Sequence, residues 1–181
     1  MNFRQRFDTR YLNDHYDIDE GDVVIIKGNS GGLNEGIAQD SINYIAMRNF
    51  IHFEDMTIQT DYDSACTMLD PQNFAKLFMT QIYVNNSDWL SNNRKCWKKR
   101  TASYEPDALY GQDGRYRWLI FDLDHGFKQA NEDRLDMVMS GQGADTRIFR
   151  SLMENTEFRH YWINLLACLL YTSDAADDLF R

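Results

Sequence analysis

The sequence predicts an α+β fold, a mainly helical lobe that carries a small β-hairpin between two polar loops. Three observations point there. Apolar residues recur at helical spacing through 42–53, 74–82 and 148–166, and two short β-like runs flank a polar connection between 94 and 120. A content of 43% hydrophobic and 14% aromatic residues over 181 positions gives one domain a real core. No apolar run approaches the length of a membrane span, and no N-terminal leader pattern is present. A formal net charge of −9 disfavours nucleic acid as the main partner, since phosphate backbones demand a Lys/Arg excess; a basic protein substrate is compatible with it.

In chain order, residues 2–16 place Phe3, Phe7, Tyr11 and Leu12 on one face of a helix. Asp22 to Lys27 form a short strand through Val23, Val24, Ile25 and Ile26, followed by Gly28-Asn29-Ser30-Gly31-Gly32. That glycine cluster lacks the Gly-Lys-Ser/Thr ending of a phosphate loop and precedes no clear helix, so it reads as a flexible turn and not as a binding site. Asp40 or Ser41 caps a helix whose face is Ile42, Ile45, Ala46, Phe50 and Phe53. Asp70 as N-cap and Pro71 at the first helical position open the next, with Phe74, Leu77, Phe78 and Ile82 on its apolar face and its end at Asn85-Asn86. Arg94 to Lys99 form the first hairpin strand, and Arg100 to Gly114 an insertion. In the second strand Tyr116, Trp118 and Ile120 alternate with Arg115, Arg117 and Leu119. Residues 128–146 are a polar connection; Thr146 then caps a helix with Ile148, Phe149, Leu152 and Met153, and Thr156 begins another with Tyr161, Trp162, Leu165 and Leu166 inward and His160 outward. Trp89, Trp97 and Trp118 are assigned to packing, and Cys66 and Cys96 read as ordinary thiols.

The chemistry concentrates between Ile82 and Phe127. Asp88 sits in a polar turn just past a packed helix, Asn93 follows five residues later, and Asp122 and Asp124 follow the second strand ahead of His125-Gly126-Phe127. A carboxylate that orients an attacking hydroxyl, then an amide and a further carboxylate that hold metal ions on nucleotide phosphates, is the order phosphoryl transfer uses. Asp88 takes the hydroxyl role; Asn93, Asp122 and Asp124 take the metal, with Asn92 a rival for Asn93's place. Strand alternation would put Asp122 and Asp124 on one side, where a hard divalent ion suits the pair; the alternative is a structural pair bridged by Arg115 or Arg117.

Asn86-x-Asp88-Trp89 with Asn92-Asn93, then Trp118-x-x-x-Asp122-x-Asp124-x-Gly126-Phe127, resembles the CotH kinase family of atypical spore-coat protein kinases. The likeness extends from Asn2-Phe3-Arg4-Gln5-Arg6-Phe7 to Glu157-Phe158-Arg159 and covers residues 2–167. It implies a truncated, atypical protein-kinase-like lobe in a bacterial protein, with ATP and Mg²⁺ or Mn²⁺ as cofactors and Asn93 and Asp124 on the nucleotide side. It also implies a Ser/Thr-bearing protein substrate and a spore-coat, cell-envelope or extracellular setting. The family's acidic residue is replaced by Gln5, and His125 stands where the kinase motif has Phe, as a packing substitute. The upstream segment that supplies a Lys to the phosphates is expected to be missing, with Lys27 a poor substitute beside a flexible loop, so the chain as written is expected to be weakly active or inactive.

Cys168 to Asp178, CLLYTSDAADD, resembles a translated sequencing adapter. The native domain is accordingly expected to span 1–167, with 168–181 a non-native tail whose removal leaves a net charge of −7. Two other classes stand beside the kinase: an inactive kinase-like surface or binding module, favoured by Gln5 and His125, and a carboxylate-based glycan hydrolase using Asp88 with Asp122 or Asp124.

Overall fold

The structure is a computed structural model that describes residues 6–28, 30–89, 92–129, 131–141 and 143–178, with side chains as far as 171. Phe3, Gln5 and residues 179–181 lie outside the described residues. Among the described residues the elements are α1 (Thr9–Tyr16), β1 (Val23–Lys27), β2 (Gly32–Glu35), α2 (Ala38–Phe53), α3 (Gln59–Met68), α4 (Pro71–Tyr83), β3 (Lys95–Lys99), β4 (Arg117–Trp118), α5 (Arg134–Ser140), α6 (Ala144–Glu154) and α7 (Thr156–Asp178). This is the predicted α+β class: seven helices with one antiparallel sheet of order β2-β1-β3-β4. The expected hairpin is thus half of a larger sheet, because β1 pairs with β3 from Val23↔Lys99 to Lys27↔Lys95.

Strand β1 is covered on both faces, which accounts for four consecutive buried residues, Val23 to Ile26. Val24 and Ile26 join the large core with Tyr44, Phe74, Phe78, Phe149 and Trp162, while Val23 and Ile25 join a smaller cluster with Leu12, Ile18 and Trp97. Helix α1 starts later than expected because the Asp8 carboxylate accepts from Tyr11 N at 3.1 Å and caps it there. Gly28, Ser30 and Gly31 lie in the turn between β1 and β2, which agrees with the turn expected there.

Helix α2 buries Asp40, Tyr44, Met47 and Ile51, whereas Ile42 and Phe53 of the expected face are 58% and 75% exposed. The face is rotated because Asp40, a charged residue, is turned inward to meet Arg100 at 2.7 Å. Helix α4 forms as expected: Asp70 accepts from Asn73 N at 3.0 Å, and Phe74, Leu77 and Phe78 are buried. Strand β4 is shorter than expected, with Tyr116 held by an isolated bridge to Leu69, and Arg117 is wholly buried. Helices α3 and α5 and strand β2 are additions to the expected elements.

The C-terminal helices pack as expected. Ile148, Phe149, Leu152, Phe158 and Trp162 are buried and His160 is exposed. Helix α6 begins two residues earlier than Thr146, with Gly143 at the N-cap, and α7 begins at Thr156 as expected, with the Asn155 side chain accepting from Glu157 N at 2.8 Å. Helix α7 continues without a break past Ala167 to Asp178. Trp89, Trp97 and Trp118 are all core residues, and Cys66 and Cys96 are free thiols. No helix is long and apolar enough to cross a membrane among the described residues.

Candidate functional site

Helix α4 delivers the first loop. Asn85 takes a left-handed conformation, φ 49°, and breaks the helix there. Asn86, fully buried, then ties three strands of chain together: its Nδ2 donates to Gln81 Oε1 at 2.9 Å and to Asp122 O at 3.3 Å, and its Oδ1 accepts from Asp88 N at 3.2 Å. Trp89, 1% exposed, packs edge-on against Phe78 at 4.8 Å and anchors the far side of Asp88 in the core.

The Asp88 carboxylate is held by two amides. Asn92 donates to its Oδ1 at 2.6 Å, and Asn93 donates to its Oδ2 at 3.1 Å. Asn93, left-handed at φ 55°, also donates to Asp122 O at 3.4 Å. Its amide nitrogen is thereby committed, which leaves the amide oxygen as the atom it can present to a cation.

The second loop docks on the first. Phe127 N donates to Val84 O at 2.6 Å, Ser87 N to His125 O at 3.4 Å, and Gly126 N to Leu123 O at 2.9 Å. A Cβ on Gly126 would meet Leu123 O at 3.1 Å and Val84 O at 3.2 Å, so a side chain here would press on the backbone of both loops. Asp122 and Asp124 lie at exposed positions on this loop. The strand-alternation argument for placing them on one side does not hold, because β4 ends at Trp118 and Asp122 is left-handed at φ 56°. Arg115 and Arg117 are not their partners through the bonds they make: Arg117 meets Asp113 at 2.7 Å and Asp70 at 3.1 Å, and Arg115 meets Asp113 at 2.8 Å. The His125 ring is exposed and does not fill a packing site.

The loop's exit is fixed by a contact that no sequence pattern signals. Arg94, directly after Asn93, is buried and donates through Nε to Asp145 Oδ2 at 2.8 Å at the start of α6, and Tyr44 Oη donates to the same carboxylate at 3.3 Å. Burial pushes the neighbouring Cys96 thiol well above its ordinary pKa, reinforced by Asp145, which leaves it an inert core residue.

Beside the loop lies a hollow of about 460 Å³ lined by Lys27, Gly28, Ser30, Gly32, Asn92 to Lys95 and Phe121. Burial, then Arg6 and Lys27, hold the Lys95 ammonium below its usual pKa. The glycine turn set aside in the sequence thus borders the candidate site, and Lys27 is the last residue of β1, at the strand end where the sequence places it.

A family model described as CotH kinase protein matches residues 14–173. The chain belongs to the CotH kinase family. No curated protein and no solved structure matches it. The CotH match takes in both loops and all four candidate residues, Asp88, Asn93, Asp122 and Asp124, and agrees with a kinase-like function and a spore-coat association.

The donors at these loops suit a hard, phosphate-bound cation. They are carboxylate, amide and carbonyl oxygens, and among the described residues no three His, Cys, Asp or Glu side chains gather to hold a metal by themselves. Mg²⁺ is commonly bound through one or two carboxylates, with phosphate oxygens and water completing its shell.

Proposed function

We propose that this chain carries the catalytic and metal loops of an atypical CotH-family protein kinase, which transfers the γ-phosphate of ATP to a Ser or Thr hydroxyl of a spore-coat or envelope protein. The observation that carries the reading is the junction of the two loops. Asn93 bonds both the Asp88 carboxylate and the Asp122 carbonyl, so the residue proposed for the hydroxyl and the loop proposed for the cation are held as one unit. Asp88 orients the substrate hydroxyl and receives its proton, with Asn92 and Asn93 fixing the carboxylate's direction. Asn93, Asp122 and Asp124 supply oxygens for Mg²⁺ or Mn²⁺. When bound, that cation neutralises charge on the transferring phosphoryl group, and most of the rate gain comes from positioning and charge, not covalent chemistry.

The test is metal-dependent ATP binding, followed by transfer to a Ser-bearing acceptor, in the wild type and in Asp124→Ala and Asp88→Ala. Asp124→Ala should weaken Mg²⁺-dependent ATP affinity at least about tenfold and abolish transfer. Asp88→Ala should keep binding and lower transfer by roughly 10²–10⁴-fold. Undiminished binding and turnover in Asp124→Ala would remove its metal role, and metal-independent binding without transfer would make the chain a kinase-shaped binding module.

A further inference from the structure

Successive side chains of β3 point to opposite faces of the sheet, so Lys98 shares a face with Cys96 and lies opposite Val24 of β1 in the register. Cys96 and Val24 both belong to the larger core, and a charge at its border needs a partner. The arginines nearby have one: Arg94 meets Asp145, Arg100 meets Asp40 at 2.7 Å, and Arg115 and Arg117 meet Asp113 at 2.8 Å and 2.7 Å. Lys98 has none. Its Nζ lies 5.1 Å from the centre of the Tyr116 ring, and among the described residues it makes no hydrogen bond and no carboxylate oxygen comes within 4.0 Å of it. Burial holds its ammonium below the usual pKa, and Asp40 and Asp113, the acids that oppose this, are already engaged by arginines.

Lys98 borders a hollow of about 520 Å³ between α2, the end of α3 and the insertion after β3. Met47, Phe50 and Met68 give it an apolar wall, and Thr101 and Ser103 add hydroxyls. The insertion is folded tightly where it closes the hollow: a Cβ on Gly114 would clash with Thr101 Oγ1, and the Arg115 guanidinium lies 5.2 Å from the centre of the Tyr104 ring. No lining residue is shared with the hollow beside Asn93. A concave, mostly apolar space with a few convergent polar groups is the usual form of a small-molecule site. A single ammonium on such a wall suits one negative charge, because a second would face Asp40 and Asp113 without a cation to offset it.

We propose that the hollow at Lys98 binds a small monocarboxylate with an aromatic or aliphatic body, its carboxylate paired with the Lys98 ammonium. The body lies against Phe50 and the flexible thioethers of Met47 and Met68, which adapt to ligands of different outline. The Thr101 and Ser103 hydroxyls are the donors for the carboxylate's second oxygen. The site stands independently of the kinase reading, since neither candidate loop contributes a residue to it.

The experiment is an amide NMR titration of the full chain with hydrocinnamate, with hydrocinnamyl alcohol and acetate as controls for the charge and for the body. Wild type should bind hydrocinnamate saturably, with a Kd on the order of 1 mM as fits a ligand of this size, and the shifts should centre on Lys98, Thr101 and Ser103. The alcohol and acetate should each bind at least about tenfold more weakly, a fold-change equivalent to about 1.4 kcal/mol. Lys98→Gln should lower hydrocinnamate affinity about tenfold and leave that of the alcohol unchanged, while Lys98→Arg should keep most of it. Ala46→Phe, at an exposed helix position that borders the hollow, keeps the fold and should block both ligands. Mg²⁺ with ATP should not displace hydrocinnamate. No saturable binding by wild type, wild-type affinity in Lys98→Gln or Ala46→Phe, or shifts away from the hollow would overturn the proposal. Displacement by Mg²⁺ with ATP would overturn it as a separate site.

Discussion

Arg117 carries a full positive charge with no exposed surface, and its guanidinium forks onto Asp113 through two bonds of 2.7 Å while Nε reaches Asp70 at 3.1 Å. Burial works against the Asp113 carboxylate, but hydrogen bonds from Arg117 and Arg115 overcome it and hold its pKa at about 2, below the ordinary 3.8. A carboxylate whose pKa is depressed on folding stabilises the fold above its unfolded value and loses that contribution as pH falls through its folded value. Stability should therefore drop between about pH 4 and pH 2, by at most about 2 kcal/mol from this group. Urea unfolding across that range reads it, and Asp113→Asn should flatten this part of the profile; an unchanged slope in the variant would clear Asp113 of the effect. Such pairings were not legible in the sequence. Arg115 and Arg117 were candidates to bridge Asp122 and Asp124, but their acids are Asp70 and Asp113, one before α4 and one in an irregular insertion where no periodicity assigns partners. Asp88 and Asn93, singled out by their spacing in a turn after a capped helix, do lie together, the Asn93 amide donating to the Asp88 carboxylate at 3.1 Å, while their roles belong to the proposed function.

The two candidate loops are elements without regular structure, and Gly126 lies where they come close. A Cβ there would press on two backbone oxygens, Leu123 O and Val84 O, and on Val84 Cβ at 3.3 Å, none of which is the end of a flexible side chain. Gly126→Ala should thus cost roughly 1–3 kcal/mol, as overpacking does. The Phe127 N to Val84 O bond should loosen, seen as faster amide exchange at Phe127, and Mg²⁺-dependent ATP affinity should fall with it. Wild-type exchange at Phe127 would mean that the loops do not depend on this contact. At this scale legibility followed the strength of local signals. Asp70-Pro71 marked α4 because cap and first-turn proline act locally. The face of α2 was misassigned because Asp40, buried at 3% exposure, breaks the apolar stripe in favour of an ion pair 60 residues away in sequence. Helix α3, QTDYDSACTM, buries only Tyr62 and Ala65, too little apolar periodicity to announce itself. Strand β2 exists because β1 offers it an edge, which Gly32 to Glu35 do not reveal alone.

At the scale of the whole molecule the sheet divides two cores, and α7 closes the larger one. Phe149 is central there: it stacks on Phe78 at 4.4 Å and meets Trp162 edge-on at 5.5 Å, so the helix that carries the first loop, α4, is packed through α6 to α7. The α7 side chains in that contact, Phe158, Trp162, Leu165 and Leu166, all precede Ala167. Beyond it Cys168, Leu170 and Tyr171 are exposed, and Leu169 alone among the described side chains there packs partly against the core. The adapter-like peptide continues the helix without a break, which backbone propensity alone allows, so helical structure in itself does not mark it as native. The proposed domain boundary makes a sharper demand. Truncation after Ala167 removes one half-buried leucine from the core, and at about 25 cal/mol per Å² of apolar surface it should lower stability by no more than about 1 kcal/mol. It should leave the Mg²⁺-dependent ATP affinity where it was, since both loops lie beside the sheet and α4. Urea unfolding of the two chains reads the first, and calorimetry the second. A loss of several kcal/mol would make residues 168–178 part of the folding unit and would set aside the boundary at 167, whatever the origin of the peptide.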